Sequence, residues 1–260
     1  MVLQNQTNAS TVVPANSTNN QTIASESIST QADANKISFE SAPILMYHYI
    51  RTVSDPNDTL GANLSVSPNN FSKQLDYLVA NNYQTITLTQ LRDGFAGSYK
   101  IDKTKKPIVI TFDDGYDDAY TQAYPILKSH NMIGVFYIIS GQIGQSERMT
   151  SNQILELDKA GMIIGSHTES HLDLTSITSS ELDNQLSDSK KTLEQLLKHQ
   201  VNDFCYPAGK YNDGVALKVD DSGYSTATTT KNGVANNNSD LFELPRIRMQ
   251  NSTDLAKVLN

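Results

Sequence analysis

The chain has 260 residues and a formal net charge of −8, from 20 Lys and Arg against 28 Asp and Glu. With no basic cluster beyond Lys103, Lys105 and Lys106 it offers no phosphate-tracking surface, and with no run of about eighteen apolar residues it holds no segment that spans a membrane. Its one cysteine, Cys205, excludes an intrachain disulfide.

Residues 1–38 are dominated by Asn, Ser, Thr, Gln and Ala. Such a composition cannot bury enough apolar surface to offset the entropy of ordering, so a disordered linker is expected there, ahead of one domain over 39–260. Met1, Val2 and Leu3 lead straight into Gln and Asn, which is no signal peptide. A polar tether of this kind is what remains when an export signal or anchor has been cut away. An extracellular or cell-surface protein is therefore expected.

The domain opens with a strand over 42–49, APILMYHY, ending beside His48. A polar loop to Val66 follows. Ser67 before Pro68 then predicts an N-cap, with Phe71, Leu75, Leu78 and Val79 at helical spacing. QTITL predicts a strand and Thr89 caps a short helix through Leu91 and Phe95. Beyond a charged loop, KKPIVI reads as a buried strand. Residues 117–130 predict a helix kinked at Pro125, and MIGVFYII the next strand. Thr150 and Gln153 predict a capping box ahead of Ile154, Leu155 and Leu157, and Gly161 ends that helix. GMIIG is a strand, and Thr178 with Glu181 caps a long helix with Leu182, Leu186, Leu193, Leu196 and Leu197 on one stripe. DFCYPAGKY runs from strand into turn. Val215, Leu217 and Val219 fit a helix, YSTATTT and LFELPRIRM two more strands, and DLAKVLN a final short helix. Alternation of strand and helix calls for a mostly parallel sheet, and seven or eight strands in about 220 residues favour closure into a barrel.

Two stretches carry chemistry. TFDDGY at 111–116 puts Asp113 and Asp114 at a strand's carboxyl end, where Gly115 lets the backbone turn. SHTESH at 166–171 puts His167 and His171 at the end of another. An ion that activates water wants about three imidazole and carboxylate ligands and an open position. One carboxylate with both histidines supplies them, if the backbone between the histidines makes roughly one helical turn. Adjacent carboxylates on a strand point to opposite faces, which frees the other to be a general base toward water acidified by the ion. The bland reading makes the aspartates helix caps and the histidines a polar turn. Two His within five residues, among five in the chain, weigh against it.

With these paired motifs the chain resembles the polysaccharide deacetylase family, the NodB-homology domain of carbohydrate esterase family 4, from about Pro43 to near the C-terminus. The resemblance implies a distorted (β/α) barrel. It makes Asp113 the catalytic base, Asp114, His167 and His171 the metal ligands, and His48 in LMYH the catalytic acid. Zinc is the expected ion, with cobalt or nickel next. Two departures stand out: Cys205 occupies the place where many relatives carry an Arg partner for the base, and Ala208 that of an aromatic residue. Arg246 in LPRIRM is the candidate replacement, its bland alternative an ordinary salt bridge. Tyr206 and Pro207 are expected to shape the pocket floor and the N–H near Ala208 to face the oxyanion. LPRIRM also lacks the Leu-x-His that supplies the acid elsewhere, which favours His48 for that role. These departures resemble the subgroup acting on poly-N-acetylglucosamine. A metal-dependent hydrolase removing acetyl from N-acetylglucosamine units of an extracellular polysaccharide is expected, as a monomer and without nucleic-acid partners. The alternatives are a peptidoglycan deacetylase, a xylan O-acetyl esterase, and a catalytically dead carbohydrate-binding domain.

Overall fold

The β-branched and aromatic runs between polar loops pair into one curved sheet. The computed structural model describes residues 1–2, 35–55 and 57–259. The linker expected over 1–38 lies almost wholly outside the described residues. Among the described residues that sheet has eight strands: β1 (Ile44–Tyr47), β2 (Tyr83–Thr85), β3 (Lys106–Phe112), β4 (Val135–Ile138), β5 (Ile163–Ser166), β6 (Asp203–Cys205), β7 (Thr226–Asn232) and β8 (Leu244–Arg248). Their spatial order is β1-β8-β7-β6-β5-β4-β3, and β3 pairs back onto β1. Seven strands thus close into a parallel barrel, while β2 pairs with the first half of β3 outside the ring. This is the distorted (β/α) barrel expected.

Closure puts every strand's carboxyl end on one rim, where barrels of this kind carry their chemistry. Register then sets the heights. Tyr47 lies opposite Phe112, and the Asp113 N–H donates to the Tyr47 carbonyl at 2.9 Å, so His48 and Asp113 leave the barrel side by side. Ile138 lies opposite Ser166 and Ser166 opposite Phe204, which brings His167 level with Cys205.

The helices cover the outside: α1 (Thr59–Leu64), α2 (Pro68–Ala80), α3 (Leu88–Phe95), α4 (Tyr124–Ser129), α5 (Ser151–Lys159), α6 (Ser179–Leu197), α7 (Asp213–Asp221) and α8 (Leu255–Val258). Alternate residues of one strand serve two cores, as a period of two requires. Leu45 and Tyr47 of β1 join Phe71, Leu75 and Leu186 in the larger cluster, while Ile44 joins Val109, Tyr137, Cys205 and Leu244 in the smaller.

Capping chemistry fixes several helix starts. Ser67 accepts from the Asn70 N–H, Thr150 and Gln153 form the reciprocal box, and Thr178 accepts from the Glu181 N–H. Four sequence readings are corrected. Thr87 rather than Thr89 caps α3, because Gln90 returns a bond to the Thr87 N–H and completes a capping box. The polar loop before Val66 contains α1, capped by Asp58. The helix kinked at Pro125 is a π-helical segment, Ala119–Ala123, running into α4; proline supplies no N–H, so the turn ahead of it widens. Val79, Leu155 and Leu217 fall off the buried helical faces and are exposed.

Candidate active site

Asp113 directly follows β3 and is 2% exposed, and its carboxylate meets the side chain of Arg246 from β8. Nη1 donates to Oδ1 at 2.7 Å and Nη2 to Oδ2 at 2.8 Å. Nε donates to the Thr229 carbonyl, Nη1 also to the Thr111 hydroxyl, and Nη2 also to the Cys205 sulfur at 3.2 Å. All five guanidinium donors are used, in the fork geometry that suits a carboxylate. Burial would raise the Asp113 pKa, but the charge of Arg246 and its two hydrogen bonds hold the carboxyl well below the usual range.

Asp114 faces the other way. Its φ of 71° puts it in the left-handed region, followed by Gly115 at 67°, so the backbone turns sharply between the two carboxylates. The divergence expected from strand alternation arises instead from this turn, since β3 already ends at Phe112. Asp114 Oδ1 stands 3.4 Å from His167 Nε2 and 3.4 Å from His171 Nε2. The helical turn expected between the histidines is absent. Residues 167–171 form a loop in which Thr168 (φ 68°) and His171 (φ 60°) are left-handed, and the His171 N–H donates to the Thr168 hydroxyl.

Whether these groups suit a metal is answered by their spacing. Ligand atoms about 2.1 Å from a tetrahedral ion lie about 3.4 Å from one another, the separation found from Asp114 to each histidine. His167 Nδ1 lies 2.7 Å from the Cys205 carbonyl, a bond that requires the proton on Nδ1 and makes Nε2 the nitrogen that faces Asp114. A second set, Asp113, His167 and Cys205, is as tightly grouped. It does not fit, because a guanidinium already occupies the space between Asp113 and the Cys205 sulfur.

His48 sits just past β1, half-buried, its Nε2 3.8 Å from Asp113 Oδ2. Burial pulls its pKa down, against the upward pull of Asp113 and Asp114, and the balance is downward. Imidazoles and carboxylates line one cleft of about 490 Å³, together with Tyr206 and Ala208. Ala208 is exposed with φ 53°, whereas Pro207, expected in the pocket floor, is buried and does not line the cleft.

A family model described as polysaccharide deacetylase matches residues 100–227. The Bacillus subtilis (strain 168) protein YxkH, named for the same family, is 33% identical over 211 residues, spanning 80% of this chain and 71% of its own length. The chain belongs to the polysaccharide deacetylase family. A Staphylococcus aureus (strain MRSA252) poly-beta-1,6-N-acetyl-D-glucosamine N-deacetylase is 26% identical over 230 residues, 80% of this chain and 78% of that one. A Bacillus cereus peptidoglycan-N-acetylglucosamine deacetylase is 32% identical over 130 residues, 50% of this chain and 59% of that one. Among solved structures, Streptococcus pyogenes deacetylase PplD in complex with acetate superposes with a TM-score of 0.79 at 29% identity, covering 86% of this chain and 100% of that one.

This polysaccharide deacetylase family member carries cleft residues that sequence reading did not single out. Tyr116, Gln142, Arg148, Ser170, Thr230 and Arg248 all line the site. Arg148 lies 4.0 Å over the Tyr116 ring, Tyr116 stacks on Tyr49 at 3.7 Å, and Arg51 covers the far face of that stack. Arg148 also donates to the Asp114 carbonyl at 3.2 Å, bracing the turn between the carboxylates. Tyr116 had a signal, since it closes the TFDDGY motif. Arg148 had none, because its 34-residue separation from Asp114 is bridged only in the fold.

Proposed function

We propose that the chain hydrolyses the acetamide of N-acetylglucosamine units in an extracellular polysaccharide, with poly-N-acetylglucosamine as its polymer, releasing acetate. The observation that carries this reading is the division of labour between adjacent carboxylates: Asp113 locked to Arg246, and Asp114 turned to two imidazoles, in one cleft. Asp114, His167 and His171 would hold a divalent cation, zinc first and cobalt or nickel next, which when bound supplies Lewis acidity toward a carbonyl and acidifies water.

Asp113 takes the proton of the attacking water. Arg246 keeps it ionised across the neutral range and fixes its orientation, though at low basicity. Asp113 Oδ2 and His48 Nε2 are 3.8 Å apart, so a proton taken up by the carboxylate would pass to the imidazole through one bridging water, and the downward shift of His48 keeps the ring neutral to receive it. The imidazole then protonates the sugar nitrogen as the C–N bond breaks. The left-handed turn at Ala208 presents backbone to the cleft, where its N–H would meet the developing oxyanion.

The polymer assignment is supported by the similarity over most of both chains to the staphylococcal poly-beta-1,6-N-acetyl-D-glucosamine N-deacetylase. Peptidoglycan is the second reading, supported by the higher identity but shorter match to the Bacillus cereus relative. The reading of a dead binding domain draws on the missing Arg at position 205 and the missing Leu-x-His; against the first, Asp113 receives a guanidinium from Arg246. Export to the cell surface is part of the same proposal. No helix among the described residues is long and apolar enough to cross a membrane.

Acetate release from poly-N-acetylglucosamine oligomers, peptidoglycan and acetylated xylan, with zinc, cobalt or nickel supplied, tests the reading. Preferential release from the first supports it, and glycan binding without release from any of the three overturns it. On the active polymer, His48→Ala is expected to lower turnover by about 10²-fold. Full turnover by that variant would return His48 to a packing role.

A further inference from the structure

His171 is the most exposed of the three proposed ligands, its side chain 32% exposed against 2% for His167, and no strand or helix holds it. The five amides from 167 to 171 are nonetheless all hydrogen-bonded. The His167 N–H donates to the Ile138 carbonyl, Thr168 to the Ser166 hydroxyl, Glu169 to the Gln185 carbonyl, Ser170 to Gln185 Oε1 at 2.9 Å, and His171 to the Thr168 hydroxyl. On the other side, the Ser140 and Gly141 amides donate to the Thr168 and Glu169 carbonyls. A Cβ at Gly141 would meet the Glu169 carbonyl oxygen at 2.7 Å, so the two backbones are in close contact on that side of the loop.

Gln185 stands out among these partners. It lies within α6, 3% exposed, where a polar side chain is normally turned to water. Its Nε2 donates to the Ser170 hydroxyl at 2.7 Å and approaches Glu169 Oε2 at 3.4 Å, while Oε1 accepts the Ser170 amide. One helical turn on, Ser189 is fully buried and hydrogen-bonds Ser166 at 2.8 Å. Residues i and i+4 share a helix face, so one stripe of α6 grips the loop at both ends. An apolar residue at 185, like the neighbouring Leu182 and Leu186, would leave the Ser170 amide without its acceptor.

Resting on the metal reading above, we infer that Gln185 is a positioning residue that holds His171 in ligating geometry by clamping Ser170. Left-handed backbone at His171 is strained for a residue with a Cβ, and a loop free to relax would carry the imidazole out of reach of Asp114. Outer partners of this kind set metal affinity without touching the ion.

The test is the zinc dissociation constant of the full chain, measured by competition with a chromophoric chelator. Gln185→Ala is expected to weaken zinc binding about 10- to 100-fold. Leu186→Ala, which opens a cavity in the core beside the same helix, is expected to lower the melting temperature and leave the constant within about twofold of wild type. The exchange Glu169→Gln with Gln185→Glu keeps an acceptor for the Ser170 amide and an amide facing a carboxylate, and should recover most of the affinity. If Gln185→Ala does not fold, the same constant is read on Ser170→Ala, with a smaller loss expected, on the order of threefold. A folded Gln185→Ala, or Ser170→Ala in its place, with wild-type zinc affinity overturns the clamp. Absence of zinc binding by the wild-type chain would overturn the metal reading instead, so the two failures are distinguishable.

Discussion

At the carboxyl ends of the strands Asp113 is buried against a guanidinium, while at the amino ends Asp203, the first residue of β6, is buried almost as completely with a threonine hydroxyl as partner. Burial acts on both in the same direction. At Asp113 the charge of Arg246 overcomes it and the carboxylate stays ionised; at Asp203 the Thr226 bond does not, and the pKa is pushed up to about 6. Low dielectric thus does not by itself decide a carboxyl group's state. Partner charge does, and among the described residues the one fully buried arginine stands on the rim that carries the proposed chemistry.

The largest effect expected from this contrast is catalytic. Asp113→Asn should lower acetate release by about 10²- to 10⁴-fold while zinc affinity stays near wild type, because Asp114 and the histidines are untouched. An asparagine variant with wild-type turnover would break the assignment of the base. Next in size is Arg246→Met, which leaves a buried carboxylate without its cation and is expected to destabilise the fold by about 3–5 kcal/mol in urea unfolding. The double change with Asp113→Asn should lose less than the sum, since the charge to be neutralised is then gone.

Much of this was legible in the chain. The aspartate and histidine pairs lie at strand ends marked by apolar runs, Thr150 and Thr178 announced their helices, and alternation of strand and helix implied the closed parallel sheet. Arg246 was legible as a candidate partner for Asp113, and the contact, across 133 residues, is made because β8 and β3 both pair with β1. Two things were not legible. The route by which His171 reaches Asp114 depends on left-handed backbone at Thr168, for which threonine gives no cue. The burial of Asp203 could not be read from a short strand beginning in a charged residue.

A smaller effect sharpens the comparison at the other end of the barrel. The native Asp203 pKa of about 6 lies above its ordinary 3.8, so the native state holds the extra proton between those values and stability falls as pH rises from about 4 to about 6. An asparagine side chain at this position cannot titrate. Asp203→Asn should therefore gain stability relative to wild type between pH 4 and pH 7, by up to about 3 kcal/mol in urea unfolding at the two pH values. A gain independent of pH would show that Asp203 does not titrate in this window. Smallest is a change remote from both carboxylates: Thr178→Ala, removing the cap of α6, should cost about 1 kcal/mol of stability and leave the Asp203 pH dependence intact.

The convergence of Asp114, His167 and His171 on one cation is tested most directly by anomalous scattering from zinc-soaked crystals, with data on both sides of the zinc edge. A single anomalous peak is predicted, about 2.0–2.2 Å from Asp114 Oδ1 and from Nε2 of both histidines. A peak between Asp113 and Cys205, or no peak within reach of the two histidines, would contradict it.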